Sequence, residues 1–243
     1  MGLHAAALKH LARMGQDRLF DGAERTVIEL GSQDLIAYFD TCALNIDLVF
    51  HMFGITQYDR SKVKMGNPAR HLYEALGFRY NCIDIDNRPG TLRWDLNTVQ
   101  CPEDFRGKHF LTTNFGTSEH VIHQENCFRL IHDLTAVGGY MVHNVPCTGY
   151  TNHCFFSYHP LFFARMAGAN GYDMLYPCLN VGYGSTEIQS IPAVGAPYPA
   201  TCGFACVLRK TKDTEFAYPY QTGYPYPMIW WDAKSMVDMK PKS

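Results

Sequence analysis

The run Thr26-Val-Ile-Glu-Leu-Gly31 constrains the chain more than any other feature. Consecutive apolar, partly β-branched residues without strict alternation suit a strand covered on both faces, as in a parallel sheet, and a glycine stops it. Comparable runs recur at 80–86, 108–113 and 140–145, the last stopped by Pro146. Helical patterns lie between them. One covers 69–76, introduced by Asn67 as N-cap and Pro68 in the first turn and closed by Gly77. A second covers 125–137 before Gly138-Gly139, and a third follows Pro160 as far as Asn170-Gly171. Strands alternating with helices predict an α/β fold with a doubly wound, mostly parallel sheet. The segments 174–181 and 202–209, joined by a Gly/Pro-rich stretch, are expected as late antiparallel strands.

The 243 residues fit one large domain spanning 1–243. Within 1–20, Leu3, Ala7, Leu8, Leu11 and Met14 recur at three- and four-residue spacing and predict an N-terminal cap helix, its polar face carrying Lys9, Arg13, His4 and His10. Residues 35–66 read as an insertion after the first strand that covers the site. Residues 211–243, rich in aromatics and proline, are expected to run extended over the surface.

A hydrophobic content of 47%, with 15 Phe and 15 Tyr, supplies a core and excludes disorder as the main state. Lys and Arg number 21 against 23 Asp and Glu, so no strong positive field is present to collect nucleic acid. The nine cysteines include no C-x-x-C pair, which argues against a disulfide framework or zinc ribbon and for reduced, structural thiols. Apolar runs fall well short of the roughly 20 residues that cross a bilayer, and charges interrupt the amino-terminal segment. A cytoplasmic protein without membrane partners is expected.

In doubly wound sheets, ligands bind outside the carboxyl ends of the strands, where the strand order reverses. The residues at those ends are polar: Glu29 to Asp34, Asp84 and Asp86, Asn114 to His120, and His143 with Asn144. An acid after the second strand is placed to accept hydrogen bonds from both hydroxyls of a ribose, and Asp84 is the first candidate.

These stretches resemble the class I S-adenosylmethionine-dependent methyltransferases, over about residues 25–210. Val27-Ile-Glu-Leu-Gly31 is similar to that family's first motif, Ile83-Asp84 to its ribose-binding acid, and Asp95-Leu96-Asn97 to the acidic turn that holds the adenine. Asn114 falls where the family faces the methionine end of the cofactor. The resemblance implies a Rossmann-like fold, S-adenosyl-L-methionine as cofactor, and Glu29, Gly31, Ser32, Gln33, Asp84, Asp95, Leu96 and Asn114 as its binding residues. Asn114-Phe-Gly-Thr-Ser-Glu-His120, Gly149-Tyr-Thr-Asn-His153 and Tyr158-His159-Pro160 are similar to motifs of bacterial methyltransferases of glycan and natural-product pathways. The first loop carries one glycine only, so Ser32 and Gln33 are expected to take over with side-chain hydrogen bonds. Only residues 87–91 separate the acidic strand from Leu92, so the next parallel strand must be absent or rudimentary.

For the acceptor, a small polar molecule, the expected contacts are Glu119, His143, Asn144, Tyr150, Asn152 and Tyr158. An imidazole suits proton removal near neutral pH, which makes His153 the expected general base and His120 its reserve. His143, His153, His159, Glu119 and His120 also have the chemistry of metal ligands, but no compact ligand spacing joins them and no metal is expected. Two other readings are a nicotinamide-dependent oxidoreductase and a non-catalytic nucleoside binder on the same fold. The first is disfavoured because G-x-G-x-x-G is missing and Asp84 follows Gly31 by 53 residues, against roughly 20 in the dinucleotide fingerprint.

Overall fold

The computed structural model describes residues 2–36, 41–86, 88, 90–184, 186–189, 192 and 196–220. Most of the expected aromatic tail, 221–243, and residues 37–40 of the expected insertion lie outside them.

The chain forms β1 (Gly2–Leu3), α1 (Ala5–Gln16), β2 (Thr26–Leu30), β3 (Asp34–Leu35), α2 (Thr41–Met52), α3 (Arg70–Ala75), β4 (Arg79–Ile83) and β5 (Thr91–Leu92). It continues with β6 (His109–Phe115), α4 (Gln124–Leu134), β7 (Thr135–Thr148), α5 (Pro160–Asn170), β8 (Asp173–Val181), β9 (Thr186–Ile188) and β10 (Cys202–Arg209). Eight strands make one sheet in the order β5-β4-β2-β6-β7-β10-β8-β9. The five from β5 to β7 are parallel, whereas β10 runs antiparallel to both β7 and β8, and β9 antiparallel to β8. This is the mostly parallel, Rossmann-like α/β sheet with late antiparallel strands that the alternation predicts. β5 is a two-residue parallel strand reached without a helix, because the segment from Asp84 to Gly90 is too short to hold one.

Along β2 the side chains alternate between two cores. Val27 packs with Leu8, Leu11, Val49, Phe50 and Leu72 on the side of α1, α2 and α3. Ile28 and Leu30 pack with Phe128, Ile131, Phe163 and Phe204 on the side of α4 and α5. A separate parallel pair joins β1 to β3, Gly2 opposite Asp34 and Leu3 opposite Leu35, and so ties the amino terminus to the chain just after Gly31.

Four local expectations differ from the fold. His10 is buried rather than on a polar face, because Tyr176 of β8 packs against α1 and its carbonyl lies 3.1 Å from one ring nitrogen while that of Ala6 lies 2.9 Å from the other. Asn67 caps no helix: its side chain donates to the carbonyls of Lys62 (2.8 Å) and Ser61 (3.4 Å), and Ala69 takes the N-cap position. α4 ends at Leu134, short of the glycines, because the buried Lys210 ammonium donates to the carbonyls of His132 (2.9 Å) and Thr135 (3.1 Å), where a cation satisfies helix-terminal acceptors. The glycines serve instead in the irregular stretch between the pairings His109–Thr135 and Leu111–Tyr140. β7 runs through Pro146 to Thr148, since β6 accompanies it only to Asn144; beyond that the Tyr158 amide donates to the Pro146 carbonyl (2.7 Å) and no partner strand among the described residues asks Pro146 for an N–H.

Lys210→Met keeps the buried stem but strips two carbonyls of their donor. Denaturant unfolding is expected to show a loss of about 1–3 kcal/mol.

Candidate active site

The strand order reverses at β2, which pairs with β4 on one side and β6 on the other, so the crevice lies over the carboxyl ends of these three strands. Gly31 leaves β2 with φ +77°, and a Cβ there would stand 2.5 Å from Thr117 Oγ1. Conformation and space both demand glycine. Thr117 Oγ1 donates to the Leu30 carbonyl (2.7 Å), and the buried Gln33 side chain donates to Thr117 Oγ1 (3.2 Å). The loop thereby turns toward β4, where the Ser32 amide donates to Asp84 Oδ2 (2.7 Å). Asp84 Oδ1 accepts from the amides of Ile85 (2.7 Å) and Asp86 (3.2 Å). Three donors on a carboxylate with roughly four acceptor positions hold the group in place and leave it room for one more. Ser32 Oγ lies 3.3 Å from Asp86 Oδ1. Arg88 grips Asp34 with two bonds (2.7 and 2.9 Å) and also pairs with Asp86, so it bridges the two loops.

Glu29 lies below this loop, wholly buried. Tyr80 donates its hydroxyl to Oε2 (2.6 Å) and the Gln33 amide also points there (3.3 Å), while Oε1 has no partner. Burial pushes the carboxyl up to about 8, so it is neutral at pH 7. Asp95 is exposed and closes its own turn, accepting from the amide (2.9 Å) and side chain (2.8 Å) of Asn97, which hold its carboxyl below the usual range. Asn97 in turn accepts from the His123 amide beside α4 (3.1 Å), and the neighbouring Leu96 enters the core. The Asp84 amide donates to the Leu92 carbonyl (3.1 Å), which brings the Asp95 turn to the same end of the sheet.

On the β6 and β7 side a buried network forms. Asn114 Nδ2 donates to Ser118 Oγ (2.8 Å) and to His143 Nδ1 (3.2 Å), and Asn114 Oδ1 accepts the Ser118 amide (3.1 Å). The Tyr158 hydroxyl lies 3.0 Å from Ser118 Oγ and 2.6 Å from Gln124 Oε1. His143 has no exposed surface, packs against Phe128 and Phe163, and burial pushes it down to about 3. This imidazole stays neutral and braces Asn114 from inside the fold. Asn144 lies beside it, 3.2 Å from His4 Nε2 and 3.3 Å from the Asn180 side chain.

Glu119, His120 and His153 meet at the mouth, each offering one ligand-type atom, all within 4.8 Å of one another. Glu119 and His120 belong to a 3-10 turn, Ser118–His120, after β6, and His153 to the loop after β7. The amides of Phe155 (3.0 Å) and Phe156 (3.2 Å) donate to the Glu119 carbonyl and fasten that loop to the turn. Glu119 is buried and pushed up to about 7; His120 is pushed down by partial burial and by His153. His153 is exposed, its ring 5.3 Å from His120 and 5.7 Å from Tyr150, and Asn152 before it turns with φ +64°.

The residues expected at the site thus fall into two groups at one end of the sheet. Sequence pattern does not single out Gln124 and Arg88, whereas Thr117 and Ser118 lie inside the Asn114–His120 stretch at a strand's carboxyl end. A surface cleft of about 420 Å³, lined among others by Gln16, Arg18, Arg25, His51 and Phe53, opens instead at the amino end of β2.

No family model matches the sequence, and no curated protein matches it. Several solved structures are similar in outline. One is the Burkholderia thailandensis 1,6-didemethyltoxoflavin-N1-methyltransferase with bound 1,6-didemethyltoxoflavin and S-adenosylhomocysteine: 9% identity over 86% of this chain and 80% of that one, TM-score 0.42. A second is the trans-methyltransferase CalH in complex with SAH, with 10% identity over 84% of this chain and 55% of that one, TM-score 0.41. A third is the MycE methyltransferase of the mycinamycin biosynthetic pathway, in complex with Mg, SAH and mycinamycin VI. It is 14% identical over 88% of this chain and 51% of that one, TM-score 0.39. The chain aligns with about half the length of the last two.

Glu29 yields a pH prediction. Its carboxyl rises from an ordinary 4.5 to about 8 on folding, so between those values the native state holds the extra proton. Its contribution to stability is complete below about 4.5 and is lost as pH rises through 8. Glu29→Gln keeps an acceptor for Tyr80 without a charge to bury. The unfolding free energy of the variant, from denaturant titrations, should fall less than that of the parent between pH 5 and 8, by on the order of 3 kcal/mol.

Proposed function

We propose that the chain transfers a methyl group from S-adenosyl-L-methionine to a small polar acceptor of sugar or natural-product type. The observation that carries this reading is the bond from the Ser32 amide to Asp84 across the reversal of strand order. It sets a carboxylate with one spare acceptor position, enough for one of the two ribose hydroxyls, at the end of β4, where a ribose is bound in sheets of this kind. Asp95 and Leu96 then lie on the adenine side. Gly31, Ser32, Gln33 and Asn114 border the methionine portion, and Glu29 supports that loop from beneath. Opposite them, Glu119, His120 and His153, with Tyr150 and Asn152, form the acceptor side, and Asn144 and Tyr158 back it.

The acceptor atom attacks the sulfonium methyl in line: its lone pair forms the new bond to carbon while the carbon–sulfur pair returns to sulfur. The buried network around Asn114 and Ser118 holds the surroundings rigid, and catalysis by alignment depends on such rigidity. His153, the most exposed member of its trio, is the group through which the acceptor is activated, with His120 beside it. Cys82, Cys101, Cys127, Cys147, Cys154, Cys178, Cys202 and Cys206 are all free thiols, which suits a reducing compartment such as the cytoplasm.

Asp84→Ala should weaken binding of S-adenosylhomocysteine more than tenfold by calorimetric titration, the share expected of a charged hydrogen-bond acceptor. NADH should bind neither protein; binding of NADH with no response to S-adenosylhomocysteine favours the oxidoreductase instead. His153→Gln should lower turnover by roughly 100-fold with cofactor affinity nearly unchanged, since the loss falls on the chemical step.

A further inference from the structure

We propose that Glu119, His120 and His153 form a binding site for a first-row divalent cation, whose open positions take the oxygen of a hydroxyl acceptor. The role assigned to the acceptor rests on the methyl-transfer reading; the cation site does not.

The three side chains grade from buried to exposed. Glu119, with 1% of its surface exposed, forms the floor, His120 stands half-buried above it, and the exposed His153 forms the rim. The three ligand atoms already lie within 4.8 Å of one another. Glu119 Oε2 is buried with no hydrogen-bond partner, and no ion pair to Glu119 occurs among the described residues. A buried carboxylate oxygen without a donor is costly, and a cation bridging it to two imidazoles removes that cost. Two imidazoles and one carboxylate from one side suit zinc, iron, cobalt or manganese and leave coordination positions free. The backbone also favours the cluster, since Asn152 takes a left-handed conformation that a non-glycine residue adopts only a few per cent of the time, and so delivers His153 to the other two.

A second trio makes the contrast. His10, Cys178 and Glu187 are equally close, but the ring nitrogens of His10 lie against the Ala6 and Tyr176 carbonyls and Glu187 is paired with Arg13. There a protein cation already occupies the place. At Glu119 none does among the described residues.

With the cation in place, a coordinated acceptor hydroxyl loses its proton to water more readily, as metal-bound water does. The oxygen then forms its bond to the methyl carbon and sulfur recovers the carbon–sulfur pair, so the products are a methyl ether and the neutral thioether.

The test titrates metal-stripped full-length chain with Co²⁺ and follows its visible spectrum. The expected result is one Co²⁺ per chain with nitrogen and oxygen ligation, and affinity at least tenfold weaker in both Glu119→Gln and His153→Gln. His71→Gln, on α3 and away from the trio, should bind as the parent does. His153 is exposed, so its variant keeps the fold and decides the matter even if the Glu119 variant does not. Absence of Co²⁺ binding below about 1 mM, unchanged affinity in His153→Gln, or a sulfur-to-cobalt charge-transfer band each overturns the site. Co²⁺ bound by the trio without S-adenosylhomocysteine affinity upholds the metal site while the methyl-transfer reading falls. The opposite pair of results removes the metal and leaves that reading standing.

Discussion

Thr117 occupies the space that a side chain at position 31 would need, and its hydroxyl binds the last carbonyl of β2. From that contact the site follows. β2 must end in a left-handed glycine; the next amide then faces β4 and meets Asp84; and the residues after it are led to Asp34, which pairs with Arg88 and closes the loop from outside. The same threonine belongs to the chain leaving β6, so one side chain couples the strands on both sides of the crevice. The short pairing of β1 with β3 holds the far end of this loop, so its shape is set from both directions.

Around the crevice the fold buries three groups that water would rather keep, namely Glu29, Glu119 and His143. Each is driven toward its neutral form by desolvation, but the surroundings differ. Glu29 receives Tyr80 and the Gln33 amide and is a braced element of the loop. His143 receives Asn114 and sits among aromatic rings, a brace of the same kind. Of the three, Glu119 alone combines a buried oxygen without a partner with two imidazoles open toward solvent. That difference separates the groups braced by neighbours around the crevice from the one that keeps a buried polar atom unmet beside two imidazoles.

Much of this is legible in the sequence where the determining forces are local. The buried run of β2, the helix that starts at Pro160 and ends at Gly171, and the rudimentary β5 follow from side-chain pattern, proline and glycine placement, and the length of chain available. The polar residues at the strand ends are legible for the same reason, since a parallel sheet with crossovers leaves its carboxyl ends as the place for a ligand. Where pattern and structure part, a distant group has intervened: Lys210 shortens α4, and β8 buries His10.

The sequence by itself determined the central strands β2, β4, β6 and β7 with the helices between them, the glycine at the turn after β2, and the set of acids, amides and imidazoles delivered to one end of the sheet, but not β1, β3, α2 or β9. Only the tertiary structure decided how they are used. Periodicity and propensity act over a few residues, whereas His120 and His153 are brought together by the hydrogen bonds that the Phe155 and Phe156 amides donate to the Glu119 carbonyl and by a left-handed turn at Asn152. Desolvation, which makes Glu29 and His143 internal braces, exists only once both faces of the sheet are covered.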